Sequence, residues 1–214
     1  MGSKKKAGKR KRLKPCPGCK GTKICGVCKG CGVVQYVHGR NKGSTFERAI
    51  AKQVSGWTGV HFTRTPSSGG WNKTGDITPK DPKAMVAFPF NIECKNQEIF
   101  SSTMLVSCAG IKLTKTIAKW WKQCTDDSKK SKRIPLLIMS CAREPVFVMM
   151  HKEMFVKLRL IKKATFSMKI KSKKGGHLRV MLWSDFLKID YSAVALRLER
   201  KNKKAIKVGG KHHG

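Results

Sequence analysis

Glu93 and Lys95 stand two places apart in the segment FPFNIECK, residues 88–95, of a chain with 47 Lys and Arg against 12 Asp and Glu. Along an extended strand successive side chains alternate between faces. Phe90, Ile92 and Cys94 therefore share the buried face, while Asn91, Glu93 and Lys95 share the other, with Glu93 and Lys95 about 6–7 Å apart. A carboxylate in an apolar run is costly unless something holds it. One arrangement that would hold it is a bound cation, with the neighbouring ammonium orienting a water or helping to deprotonate it. A same-face salt bridge of small energetic value is the simpler account of an isolated E-x-K.

A hard cation such as Mg²⁺ (or Mn²⁺) takes oxygen ligands and keeps several waters, so a second acid is expected near Glu93. Asp76, in TGDIT, follows a glycine-rich loop and precedes a short β-prone segment; Glu47, in GSTFER, is the third candidate. Each has a structural alternative. Asp76 after Gly75 suits a turn, and Ser44-x-x-Glu47 is a capping box in which the glutamate serves a helix start. Arg48, Arg64 and Lys73 are candidate phosphate contacts, the alternative for the arginines being a salt bridge to Asp76 or Glu93. Ser67, Ser68, Gly69 and Gly70 would let the loop adapt to a bent strand.

A second chemistry is written in CPGCKGTKICGVCKGCG. Cys16, Cys19, Cys25 and Cys28 follow C-x2-C-x5-C-x2-C, the spacing with which two short turns aim four thiolates at one structural Zn²⁺. Cys31 is a surplus cysteine that could replace Cys28. So short a segment needs the ion to hold a fold. It resembles the cysteine- and glycine-rich knuckles of DnaJ-type zinc domains, over this segment only.

The elements that must position these residues follow from periodicity. GSTFERAIAKQVSGW places Phe46, Ile50, Val54 and Trp57 on one helical stripe, with Gly56 as a stop. VHFTRT reads as a short strand and PSSGGWNKTG as a loop. TIAKWWKQCTD reads as a helix, RIPLLIMS and PVFVMM as strands, and ATFSMKIKSKKGGHLRVMLW as a hairpin turning at Lys174-Gly175. The gap between Asp76 and Glu93 admits a surface loop with Asp81. Of the adjacent Trp120 and Trp121, at most one is expected to face the core squarely. Cys94, Cys108, Cys124 and Cys141 are read as small buried hydrophobes. The pattern is α/β or α+β.

Composition sets the outer limits. A formal charge of +35 over 214 residues exceeds what solubility needs and points to a polyanion, nucleic acid before membrane surface. Thirteen basic residues precede the first acid. Residues 1–14, with Lys4, Lys5, Lys6, Arg10 and Arg12, read as a disordered phosphate-seeking arm, or as a solubilising or targeting tail. Residues 199–214 form a second basic tail. No apolar run approaches the ~20 residues of a membrane helix, and nine cysteines, five of them crowded together, suit metal binding in a reducing compartment. The expected order is arm 1–14, zinc knuckle 15–38, main domain 39–198 and tail 199–214, in the cytoplasm.

Helix-Glu, loop-Asp and strand-Glu-x-Lys, in that order beside a glycine-rich loop, resemble the PD-(D/E)xK nuclease superfamily, and more narrowly its archaeal-type and phage Holliday junction resolvases. The carrying motifs are GSTFER with Glu47 and Arg48, RTPSSGG with Arg64, Pro66, Ser68 and Gly69, GDI with Asp76, and NIECK with Glu93 and Lys95, over roughly residues 43 to 150. The resemblance implies a restriction-endonuclease-like core, a central mixed sheet flanked by helices. It implies a Mg²⁺ site of Asp76 and Glu93 with Glu47 assisting, Lys95 at the attacking water, and Ser68 near the scissile phosphate. It also implies branched DNA as substrate, a homodimer making paired cuts, and a prokaryotic or phage-infected cell as setting. Gly75 departs from the proline usual before the aspartate. The alternatives are a nuclease of the same fold acting on flaps, ends or specific duplex sites, and a non-catalytic zinc-containing nucleic-acid binder.

Overall fold

The computed structural model describes residues 13–15, 33–35, 39–65, 75–97, 102–106, 108–109, 113–141, 144–171 and 176–198. The chain divides into two units, Met1–Lys42 and Gly43–Gly214. In the first, β1 (Leu13–Pro15) pairs antiparallel with β2 (Val33–Gln35), Pro15 opposite Val33. This pairing brings together the two ends of the cysteine-rich segment and takes in the last two residues assigned to the arm. The five cysteines Cys16, Cys19, Cys25, Cys28 and Cys31 lie outside the described residues, as do the rest of the arm and the C-terminal tail.

In the second unit the apolar runs become a mixed sheet. After α1 (Gly39–Thr58) come β3 (Phe62–Arg64) and β4 (Ile77–Pro79), an antiparallel pair, then α2 (Pro82–Ala87) and β5 (Phe90–Asn96). They are followed by α3 (Ser102–Val106), α4 (Lys115–Ser131), β6 (Ile134–Ser140), β7 (Phe147–His151), α5 (Lys152–Lys157), β8 (Ser167–Lys171), β9 (His177–Leu182) and α6 (Trp183–Leu187). The five-stranded sheet runs β5-β6-β7-β9-β8, with β5 and β6 parallel and the other pairs antiparallel. The expected hairpin is the β8–β9 pair, its turn falling outside the described residues.

Both sheet faces are covered, because β6 is apolar at consecutive positions. Leu136 and Ile138 pack with Ile50 and Val54 of α1, Phe155 of α5 and Phe186 of α6. Leu137 and Met139 pack on the opposite face with Leu105 of α3 and with α4. The result is a three-layer α/β/α unit.

Several expectations give way here. Helix α1 begins at Gly39, so Ser44 lies inside it and is not an N-cap. The helix also runs through Gly56; it stops at Gly59, whose φ of +73° is the left-handed conformation glycine takes at helix ends and whose N–H donates to Ser55 O at 2.9 Å. Asp81 caps α2, accepting from Lys83 N–H at 2.9 Å, and does not sit in an open loop. Trp120 and Trp121 are both buried, since the apolar stripe of α4 runs Ile117, Trp120, Trp121, Cys124, an i, i+3, i+4, i+7 set wide enough to hold adjacent residues. Cys94, Cys108 and Cys124 are buried as expected, whereas Cys141 is only half-buried.

The face of β5 carrying Asn91 and Glu93 is not open: it lies under α4, and both residues are buried. The outer edge of β5 is closed in turn by the corner before β4. There Asp76 N–H donates to Ile92 O at 2.8 Å, and Thr65 N–H donates to Asp76 O at 2.8 Å. Gly75 makes this approach feasible. Its φ is +81°, and a Cβ built on it would stand 2.9 Å from Ile92 O. Proline, with φ locked near −65°, could not occupy this corner, which accounts for the departure from the usual motif. Replacing Gly75 by Ala should destabilise the protein by about 2–3 kcal/mol, read as a lower urea midpoint with unchanged slope.

Candidate active site

Asp76, Glu93 and Lys95 meet at the outer edge of the sheet, brought there by two devices. Lys95 and Glu93 are placed by strand alternation on β5. Asp76 is placed by the main-chain bonds of its corner, and its carboxylate Oδ2 accepts the Cys94 N–H at 2.7 Å. That bond ties the loop aspartate to the strand that carries the glutamate. Lys95 Nζ donates to Glu93 Oε1 at 2.6 Å and to Gln123 Oε1 of α4 at 3.1 Å. Gln123 escaped the sequence reading because nothing local marks a polar residue 28 positions away as a partner.

The electrostatics are those of too much negative charge in too little water. Burial raises Asp76 from 3.8 to about 7, with the Glu93 charge adding to the effect and the Cys94 N–H opposing it. Burial also raises Glu93, against the pull of Lys95. Burial works to lower Lys95, but the charge and hydrogen bond of Glu93 outweigh it and the ammonium ends above its ordinary value. Cys94, buried on the opposite face of β5 from Glu93, is pushed well up by burial and then by the Asp76 charge, so it remains a thiol.

Glu47 projects from α1 toward the same charges, entering the balance of both Asp76 and Glu93. Its carboxylate is engaged by Arg64 Nε of β3. The capping box and the Arg64 pairing with Asp76 or Glu93 are thereby both replaced by a Glu47–Arg64 bridge between α1 and β3. Arg48 and Arg64 also line one cleft of about 430 Å³, together with Lys52, His61, Ala51 and Phe62. Lys52 was legible in principle, as the i+4 neighbour of Arg48 on a helix. Ser68 and Lys73 lie outside the described residues.

Among the described residues, no group of three or more His, Cys, Asp or Glu side chains is close enough to hold a metal ion. A divalent cation would therefore rest on two carboxylates, Asp76 and Glu93, and complete its shell with water. That is how Mg²⁺ is commonly bound, and the donor set fits it: two half- or fully buried acids, both pushed toward protonation, would regain their charge beside a cation. No helix among the described residues is long and apolar enough to cross a membrane.

A family model described as "Phage putative PDDEXK endonuclease" matches residues 38–195. Among solved structures, the chain is similar to Archaeoglobus fulgidus Hjc, a Holliday junction resolvase from an archaeal hyperthermophile. The identity is 12% and the TM-score 0.34, over 72% of this chain and 99% of that one. No curated protein sequence matches.

The raised Asp76 has a direct consequence for stability. Between about pH 4 and pH 7 the folded, metal-free protein holds a proton that the unfolded chain has released, so stability falls as pH rises through that window. Asp76→Asn keeps an oxygen for the Cys94 N–H and removes the charge. In EDTA at pH 8 the variant should be more stable than wild type, by on the order of 2–4 kcal/mol, and the difference should vanish below pH 4. Thermal unfolding across pH measures it; equal melting temperatures at pH 8 would contradict the burial of that charge.

Proposed function

Because the chain belongs to the phage PDDEXK endonuclease family, we propose that it is a metal-dependent DNA endonuclease in which Asp76 and Glu93 hold Mg²⁺ (or Mn²⁺) and Lys95 serves the attacking water. The carrying observation is that two acids and a lysine, 17 and 2 positions apart in sequence, are gathered at one sheet edge with both acids pushed up by burial. A protein that only binds a polyanion has no use for buried acids beside its basic surface, where they repel phosphate.

When bound, the cation supplies positive charge for the phosphoryl oxygen and lowers the pKa of a water. Lys95, held protonated by Glu93, orients that water and offsets charge developing on the phosphate; its raised pKa makes it a donor at neutral pH, not a base. The Asp76–Cys94 bond fixes one ligand relative to the other. Glu47, through Arg64, connects this centre to the basic cleft of Arg48 and Lys52, which takes phosphates of the strand, with Ser68 and Lys73 serving the same backbone. The remaining Lys and Arg supply salt-sensitive affinity for DNA backbone, the N-terminal arm included.

We further propose four-way junctions as the substrate and a homodimer as the active species. Both rest on the motif resemblance of GSTFER, RTPSSGG, GDI and NIECK. Zinc held by Cys16, Cys19, Cys25 and Cys28, with Cys31 as substitute, would add a small DNA-binding module. Flap, end or site-specific cutting by the same centre is the alternative, distinguished by its products.

The test is cleavage of a labelled junction and of linear duplex of the same sequence, with Mg²⁺ and with EDTA. Paired cuts confined to the junction, abolished by EDTA and reduced at least 10³-fold, by order of magnitude, in Lys95→Ala support the proposal. Cuts in the linear duplex would move the substrate to duplex DNA, and tight binding without product would leave a binder. Because protons compete with the cation for Asp76, activity at low Mg²⁺ should rise through about pH 7, and saturating Mg²⁺ should shift that rise to lower pH.

A further inference from the structure

Buried polar groups without partners are rare and each calls for a physical reason. Among the described residues five such side-chain atoms occur: Thr65 Oγ1, Asn91 Nδ2, Asn91 Oδ1, His177 Nδ1 and Arg179 Nε. Three of the five belong to residues at the Asp76 corner. Thr65 donates its N–H to Asp76 O. Asn91 is 1% exposed, and its Oδ1 occupies the space next to Gly75 where a Cβ would come within 2.9 Å. The amide therefore abuts the main chain of the residue that precedes the aspartate. By strand alternation it also shares a face with Glu93 and Lys95.

A leucine has nearly the shape of asparagine and would fill this place without an unpaired donor and acceptor. An amide there, beside a backbone corner of positive φ, leaves a buried donor and acceptor open to a partner that the described residues do not supply. We propose that Asn91 is a positioning residue for the cation: its side-chain amide hydrogen-bonds the hydrated cation or a carboxylate oxygen that holds it, fixing the Asp76–Glu93 pair in the loaded state. The amide suits that role because it can donate through Nδ2 and accept through Oδ1 at once, answering either a water or a carboxylate. Groups of this kind, touching ligands and not the ion, commonly change metal affinity 10- to 100-fold. The inference rests on the two-carboxylate reading of the site.

Opposite signs in two measurements test it. Asn91→Leu removes both unpaired atoms, so in EDTA the variant should melt above wild type. Its affinity for Mn²⁺, measured by calorimetry or electron paramagnetic resonance on the DNA-free protein, should fall at least tenfold. Asn91→Ala, which leaves a small void and cannot clash with Gly75, should show the same loss of affinity despite a lower melting temperature. Mn²⁺ affinity unchanged in both variants would overturn the proposal and make Asn91 a tolerated defect. Wild type that binds no Mn²⁺ would overturn the two-carboxylate reading itself, a result distinct from the first. Lys80→Ala, at an exposed position just past β4, should leave both quantities unchanged.

Discussion

Two hydrogen bonds at the outer edge of β5 decide what the rest of this structure can do. Asp76 gives its N–H to Ile92 and takes the Cys94 N–H on its carboxylate. Through them a loop residue acquires the positional precision of a strand, and two acids distant in sequence become one group. The cost is plain in the balance of charge, because both acids are held where water is scarce and each resists ionising. Lys95 offsets part of this, and in the proposed function a bound cation would offset the remainder. Stability and the proposed function would draw on the same two carboxylates, because the burial that makes their charge costly to the fold is what a cation would relieve.

How much of this was legible in the residues depends on the range of the interaction. Strand alternation places Asn91, Glu93 and Lys95 on one face correctly, because a period of two is a property of the backbone itself. It says nothing of whether another layer covers that face. FPFNIECK therefore suggests one buried side, while α4, more than twenty residues further along, buries the other. The same limit hides Gln123 as a partner of Lys95 and Arg64 as the partner of Glu47. Ser44-x-x-Glu47 has the letters of a capping box, but the helix extends to Gly39 and leaves no terminus there to cap. Adjacent Trp120 and Trp121 do not both read as core residues from a narrow helical stripe, yet both are buried because α4 packs a broader face on the sheet.

The distribution of charge explains why acids are so informative in this chain. With a net formal charge of +35, most Lys and Arg side chains meet a field of their own sign, and a carboxylate is the uncommon element. Several of the acids have visible structural duties: Asp81 caps α2, Asp185 pairs with Lys188 and receives the Thr165 N–H, and Asp190 closes the turn into residues 191–198. Asp76 and Glu93 differ from these in that burial pushes them up, while Asp185 and Asp190 are held down by their hydrogen bonds. Environment, more than residue type, separates the acids whose charge the fold stabilises from the two whose charge it does not.

Gly75 carries one more implication, for how this sequence can change over generations. Its φ of +81° and the Asn91 amide seated in its missing side-chain space are two halves of one fit. A proline at position 75 would need a different backbone corner and would meet the amide. Position 75 is therefore not free to drift alone: a proline there requires the corner that bonds Thr65 and Ile92 to be rebuilt together with the side chain at 91.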